Sequence, residues 1–407
     1  MVREDVLESI AEKIKKEDPK LFLDAFTDEI AREALALSIY EDEINDWMNK
    51  EQLNYVMQEL VGIGVIEEII KDPDVTDISY NGTDLIVNTN NSGKYVYEKN
   101  FSEDKIIKVI QKIANVVDKE FTQKNPILDA QLKSLRLNAV HKLSSPYGTT
   151  MALRVARPRL ALTKNNFENF APLYMYDFFE SAIKARANIL IAGEVGTGKT
   201  EFQKLLMSFV PFDQKIVWIE DVREGHIKEL FPEKDVHSWL TNEITSILDL
   251  TKAGLRNNSA WISVAEIRGL EAFELLNAVL SGHNIVTTLH SVNARAIPKR
   301  FSHMVKMGYD SVDEKDLIND IKTYIQFGVH IKKTTINGKV KRYLSEVVEY
   351  RPDGDITIFK QKYTKKGFEI ICNPYSDDYQ DQLIEQHSDY ELDYFKEWEH
   401  EKEKVYS

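Results

Sequence analysis

Asn188-Ile-Leu-Ile-Ala192, Gly193-Glu-Val-Gly-Thr-Gly-Lys-Thr200 and Glu201 to Val210 follow one another without a break. The first stretch is a short apolar run that reads as a buried strand, and the last reads as a helix. Between them, glycine, four residues, glycine, lysine and threonine fill every fixed position of the P-loop pattern. Gly193, Gly196 and Gly198 can adopt backbone conformations closed to residues with a Cβ, so successive N–H groups can turn inward around a β-phosphate. The following helix adds the partial positive charge of its N-terminus. Lys199 supplies a mobile ammonium for phosphate oxygens, and Thr200 a hydroxyl ligand for magnesium. A glycine-rich turn without a ligand is the plainer alternative, and it leaves the lysine and threonine at those positions unexplained. The expected nucleotide-binding set is therefore Gly193, Glu194, Val195, Gly196, Thr197, Gly198, Lys199 and Thr200.

Outside this loop the chain alternates strand-like and helix-like segments. They run Lys215 to Asp221, Ile244 to Leu255, Trp261 to Ala265, Leu270 to Leu280, Asn284 to Leu289 and Ala294 to Met307. Such alternation implies parallel strands joined by crossover helices. Residues 1–59 read as a helical N-terminal region, and 60–158 as a smaller α+β domain. Within the latter, Asp77-Ile-Ser-Tyr80, the turn Asn81-Gly82 and strands near 84–88, 94–98, 135–140 and 149–155 surround an amphipathic helix over 103–118. Residues 159–172, bounded by Pro158 and Pro172 with Asn165-Asn166 between them, read as a linker. The α/β nucleotide domain is expected over 173–372, followed by an acidic, aromatic tail over 373–407.

The 407 residues carry a net charge of −14, which argues against broad nucleic-acid binding. One cysteine, Cys372, excludes an internal disulfide and fits a reducing compartment. The opening Met-Val-Arg-Glu-Asp-Val-Leu-Glu lacks the apolar core of a signal peptide, and no run of about 18 apolar residues occurs. Membrane association is expected only through partners.

Hydrolysis needs magnesium and a group that orients the attacking water, and in a parallel sheet these belong at the carboxyl ends of strands beside the P-loop. One such end carries Glu220 and Asp221, with Glu224 beyond, and another carries Glu266. A strand-end acid that merely caps a turn or faces solvent is the plainer reading. The next strand ends at His290 and is preceded by His283, and a strand-end histidine can donate to a γ-phosphate. Lys332-Lys333, Lys339 and Lys341-Arg342 bracket Asn337-Gly338 and read as a charged edge hairpin. Ser388-Asp-Tyr-Glu391 has capping-box spacing, with Tyr390, Tyr394 and Trp398 on one helical face.

Taken together, these motifs resemble the motor ATPases of type II and type IV secretion, pilus assembly and conjugation, and within them the CpaF-like branch. The resemblance covers roughly residues 60 to 350. It rests on the P-loop, the acidic box Ile219-Glu-Asp-Val-Arg-Glu224, the Walker B segment Ala265-Glu-Ile-Arg-Gly-Leu-Glu-Ala272 and the histidine box Ser281-Gly-His-Asn-Ile-Val-Thr-Thr-Leu-His290. Upstream, Asp72-Pro-Asp-Val-Thr-Asp-Ile-Ser-Tyr-Asn-Gly82, Asp129-Ala-Gln-Leu132, Arg136-Leu-Asn-Ala-Val140 and Ala152-Leu-Arg154 are similar to the domain that precedes the motor core.

The resemblance implies a RecA-like core, ATP and magnesium, a homo-hexameric ring and nucleotide-driven motion of rigid domains. It also implies a cytoplasmic place at the inner face of the membrane beside platform proteins. By the same route Glu266, Glu220 and His290 are the expected catalytic residues, with His283 a weaker one. Thr200, Asp221 and Glu224 are expected at magnesium, and Arg136, Arg154 and Arg157 as phosphate or interface arginines. Strand arginines are more often ion-paired or solvated.

Two departures stand out: Ala265 replaces the usual glycine before Glu266, tolerable at negative φ, and Arg256-Asn-Asn-Ser-Ala260 lacks the usual Pro-Asp. No zinc is expected, since Cys372 stands alone. Two other functions remain open to such a core, a nucleic-acid translocase and a nucleotide-dependent assembly switch with little turnover.

Overall fold

A computed structural model describes residues 2–26, 28–42, 47–90, 92–98, 102–132, 134–309, 312–336 and 339–386. The chain divides into two compact units, Met1–Ala156 and Arg157–Ser407.

The first unit opens with helices α1 (Glu4–Glu17), α2 (Pro19–Asp24), α3 (Glu29–Tyr40), α4 (Lys50–Leu60) and α5 (Val65–Ile70). The starts of α2, α3 and α4 are set by side chains that accept orphan N–H groups: Asp18 before Pro19, Asp28, and the Asn49–Gln52 capping box. Leu35, Ile39 and Val56 lie in the core shared by α1 to α4. The segments β1 (Val75–Tyr80), β2 (Leu85–Thr89), β3 (Gly93–Val96), α6 (Glu103–Val116), β4 (Ile127–Leu132), β5 (Leu135–Val140) and β6 (Thr150–Val155) follow. The strands make a six-stranded antiparallel sheet in the order β3-β2-β1-β6-β5-β4. Ile106, Ile110 and Ile113 of α6 share a core with Ile78, Val87, Leu137 and Leu153, the residues of one sheet face.

The second unit contains α7 (Leu173–Lys184), β7 (Ile189–Gly193), α8 (Lys199–Ser208), β8 (Ile216–Glu220), α9 (Ile227–Leu230), β9 (Val236–Leu240), α10 (Ile247–Gly254), β10 (Trp261–Val264), α11 (Glu271–Leu280) and β11 (Asn284–Leu289). It continues with α12 (Ile297–Gly308), α13 (Glu314–Tyr324), β12 (Phe327–Ile336), β13 (Lys339–Glu349), β14 (Ile356–Thr364), β15 (Gly367–Cys372) and α14 (Asp377–Glu385). One nine-stranded sheet runs β15-β14-β13-β12-β7-β11-β10-β8-β9. The pairs from β12 through β9 are parallel, whereas β12 to β15 form an antiparallel meander.

Successive strand residues face opposite cores, so both faces must be apolar and the strands lose polar alternation. Ile189, Ile191 and Trp218 pack with α7, α8 and α14, whereas Leu190, Ala192 and Val217 pack with α11, α12 and α13. This is the α/β architecture expected from the alternating segments, with β7 and its loop near the middle of the sheet.

Three expectations change. Residues 159–172 do not behave as a linker throughout: a 3-10 turn over Lys164–Asn169 carries Phe167, which is fully buried with Phe170 in the core under α7 and α8. The prolines and asparagines suggested a loop, but the two phenylalanines anchor it. The charged hairpin is the projecting end of an interior pair: β12 and β13 lie between β7 and β14, but Lys332–Ile336 and Lys339–Tyr343 extend beyond both neighbours and pair with each other. Their roots are buried and paired on both sides, and the lysines and arginine are confined to the distal half. Of the tail, α14 packs Tyr379 and Leu383 into the unit's core, while the helix expected around Ser388 to Trp398 lies outside the described residues, as does Asn337-Gly338.

Candidate nucleotide site

Helix α8 starts directly after Gly198, which takes a left-handed conformation at φ 94°, and no side chain caps its first N–H groups. A helix start left uncapped beside a glycine loop is what an anion cradle requires. Gly196 is also left-handed, at φ 75°. At Gly193 the constraint is space: an added Cβ would lie 2.5 Å from the carbonyl oxygen of Ile331 on β12 and 2.7 Å from Thr197 Oγ1.

Lys199 folds back over the loop and donates to the carbonyls of Gly193 (3.0 Å) and Glu194 (3.3 Å). Burial pushes its ammonium pKa down, and the Glu266 carboxylate partly opposes this. The field of Glu266 therefore reaches the P-loop lysine.

The strand ends complete the site. His290, just beyond β11, has Nδ1 3.1 Å from the carbonyl of Gly193 and Nε2 2.8 Å from Glu266 Oε1. The second approach is close but lacks hydrogen-bond alignment, so Oε1 is a buried carboxylate oxygen with no aligned donor. Glu266 Oε2 accepts from Arg268 Nη2 at 2.7 Å, and Arg268 Nη1 donates to Asp221 Oδ2 at 3.0 Å. The result is a continuous polar path from Gly193 through His290, Glu266 and Arg268 to Asp221. The Glu266 hydrogen bond is the largest influence holding Arg268 protonated beyond its ordinary range.

Glu220 differs. It is buried, and one oxygen accepts from the N–H groups of Glu224 (3.1 Å) and Gly225 (2.8 Å), closing the loop after β8. Burial raises its pKa against the opposing pull of those amides. Glu224 contributes its amide to this closure. Among the described residues no three His, Cys, Asp or Glu side chains form a metal cage. A magnesium ion held mainly by phosphates, water and one hydroxyl needs none.

Strands β10 and β11 pair only through Trp261 and Ile262 and then separate. Side chains fill the gap. Gln203 of α8 donates Nε2 toward Ser263 Oγ and the carbonyls of Val264 and Val286, each at 3.0 Å. Thr287 and Thr288 donate to the carbonyls of Val264 and Ala265, both at 2.7 Å, and Ile267 N–H reaches Thr288 O at 2.9 Å. These bonds aim the segment carrying Glu266. Ala265 is absent from the positive-φ residues, so its methyl is accommodated, and the turn without Pro-Asp is made by Asn258 at φ 51°.

Other expected residues fall elsewhere. His283 precedes β11, at the opposite end from His290, so the strand's full length separates it from the site and the expectation for it is withdrawn. In the first unit Arg154 is ion-paired to Asp77 at 3.1 Å and stands in register with Arg136. Arg157 begins the second unit. Gln203, Arg268, Thr287 and Thr288 were given no role in the sequence, although three of them lie inside quoted motifs.

The sequence profile described as type II/IV secretion system protein matches residues 64–326. The chain belongs to this family. A Bacillus anthracis relative, itself named only as an uncharacterized protein, is 46% identical and aligns with 95% of this chain and 91% of its own length. The type IV secretion system protein VirB11 of Brucella suis is 24% identical, aligning with 64% of this chain and 83% of its own. Among solved structures, the pilus retraction motor PilT with bound ADP superposes with a TM-score of 0.52 at 19% identity, covering 80% of this chain and 86% of PilT. The ATPase DotB of Yersinia pseudotuberculosis gives 0.55 at 14% identity, covering 72% and 80%. At these identities the two structures show the shared RecA-like fold. Among the described residues no helix of this family member is long and apolar enough to cross a membrane.

Proposed function

We propose that this secretion-family protein is a magnesium-dependent ATPase that powers a bacterial secretion, conjugation or pilus-assembly machine. It works as a homo-hexameric ring at the inner face of the membrane, beside platform proteins, and on its motifs we place it near the CpaF-like branch. The observation that carries this reading is the link from the Gly193 carbonyl through His290 to Glu266, which joins the phosphate loop to an acid.

The P-loop amides and the start of α8 bind the β-phosphate, and Lys199 exchanges its carbonyl partners for phosphate oxygens. Thr200 would hold magnesium, which supplies charge neutralisation to the β and γ oxygens. Glu266 orients the attacking water through Oε1, the oxygen that faces His290, and Arg268 holds Oε2 and keeps the carboxylate aimed. His290 senses the γ-phosphate by exchanging its contacts. Asp221 and Glu224 would help to hold magnesium, and Glu220 shapes the loop that carries them. Arg136, Arg154 and Arg157 meet phosphate or a neighbouring subunit in the ring.

Phosphate release tests the reading. Lys199→Ala should lower magnesium-ATP turnover by at least about a thousandfold. A wild-type chain that stays inactive with and without its assembled partners would make it a switch.

A further inference from the structure

Beta-strand β12 pairs with β7 only through Ile331, and β13 with β14 only from Glu346 onward. Beyond these limits the two strands continue as an arm, with Lys332 to Ile336 against Lys339 to Tyr343. Lys333 and Arg342 are direct cross-strand partners in that arm. Like charges in register cost stability, so their pairing calls for a reason. Both reach the phosphate loop: Lys333 Nζ donates to Val195 O at 2.7 Å, and Arg342 Nε to Gly196 O at 2.9 Å. The arm lies where side chains at the loop glycines would point, with Lys333 Nζ 3.4 Å from an added Cβ at Gly196 and Arg342 Cδ 3.6 Å from one at Gly198.

A trans peptide is planar, so its carbonyl and the next N–H point in opposite directions. Holding Val195 O against Lys333 turns the Gly196 N–H away from the arm, and holding Gly196 O against Arg342 does the same for Thr197 N–H. The latter points into the loop, donating a long 3.4 Å bond to Glu194 O. We propose that Lys333 and Arg342 are positioning residues that brace the outer, carbonyl side of the P-loop, so that its amides face a nucleotide's β-phosphate before it arrives. The inference rests on the nucleotide reading of this site.

The test is titration of the full chain with fluorescent ADP and with ATP, beside steady-state turnover and thermal melting. Lys333→Ala with Arg342→Ala should weaken ADP and ATP by the same factor, roughly three- to tenfold. KM should rise while kcat at saturation stays within about twofold. Lys333→Arg and Arg342→Lys, which keep a donor, should each bind ADP nearly as wild type does. A double alanine variant that melts normally and binds unchanged overturns the inference, as does a loss confined to ATP, which would put the two cations on the γ-phosphate. Tighter binding overturns it too, because the arm would then obstruct the loop. A wild-type chain that fails to bind ADP overturns the nucleotide reading and the inference together.

Discussion

Glu266 and Glu220 end adjacent parallel strands, and their surroundings give them different tasks. Glu266 lies beyond β10, where the sheet has opened, within a chain of charged partners that reaches the phosphate loop. Glu220 is still inside β8, is buried, and spends an oxygen on two amides of its own loop. The residue type alone does not separate a water-orienting acid from a loop clasp. What separates them is where strand pairing stops, because an unpaired strand end frees its side chain for a ligand.

This contrast can be broken by matched substitutions. Glu266→Gln keeps the shape and removes the charge, so the variant should bind ATP and turn it over about a hundredfold more slowly. Near-normal phosphate release would shift the water-orienting role to the acidic box. Glu220→Gln retains an oxygen for the amides of Glu224 and Gly225, and turnover should fall by less than about tenfold.

The same variant has a pH signature. Burial raises the folded pKa of Glu220 above its ordinary 4.5, so between the two values the folded chain holds a proton the unfolded chain has released. Stability contributed there falls as pH rises through that window. Denaturant midpoints should therefore show Glu220→Gln gaining on wild type as pH rises above 4.5, and a constant difference would remove burial as the cause. The smallest effect is expected in the first unit. Its Arg154–Asp77 pair is exposed, and Arg154→Ala should change stability by about 0.5 kcal/mol or less. A fall in turnover without a fall in melting temperature would support its proposed place at phosphate or a neighbouring subunit, and unchanged turnover would remove it.

Much of the site was legible because its chemistry sits at the ends of short, apolar strands with fixed local spacing. Gly193 to Thr200, Glu266 and His290 were read that way, and so was the alternation of strands and helices. Contacts made across the chain were not. Lys333 and Arg342 lie well over a hundred residues from the loop they touch, and as a run of surface charge they looked like solvated hairpin. Gln203 looked like an ordinary helix residue, since nothing local marks the gap it fills. The segment 159–172 misled for the opposite reason. Its prolines and asparagines are strong local signals, but they were outweighed by the burial of Phe167 and Phe170.

The gap between β10 and β11 has a mechanical meaning. Where a backbone ladder would lock two strands at fixed spacing, their final residues are coupled here mostly by side chains: Gln203 from the helix that begins at the phosphate loop, and Ser263, Thr287 and Thr288 from the strands themselves. Gln203 thereby ties the helix to the glutamate-bearing and histidine-bearing strands at once, through side-chain bonds and not a backbone ladder.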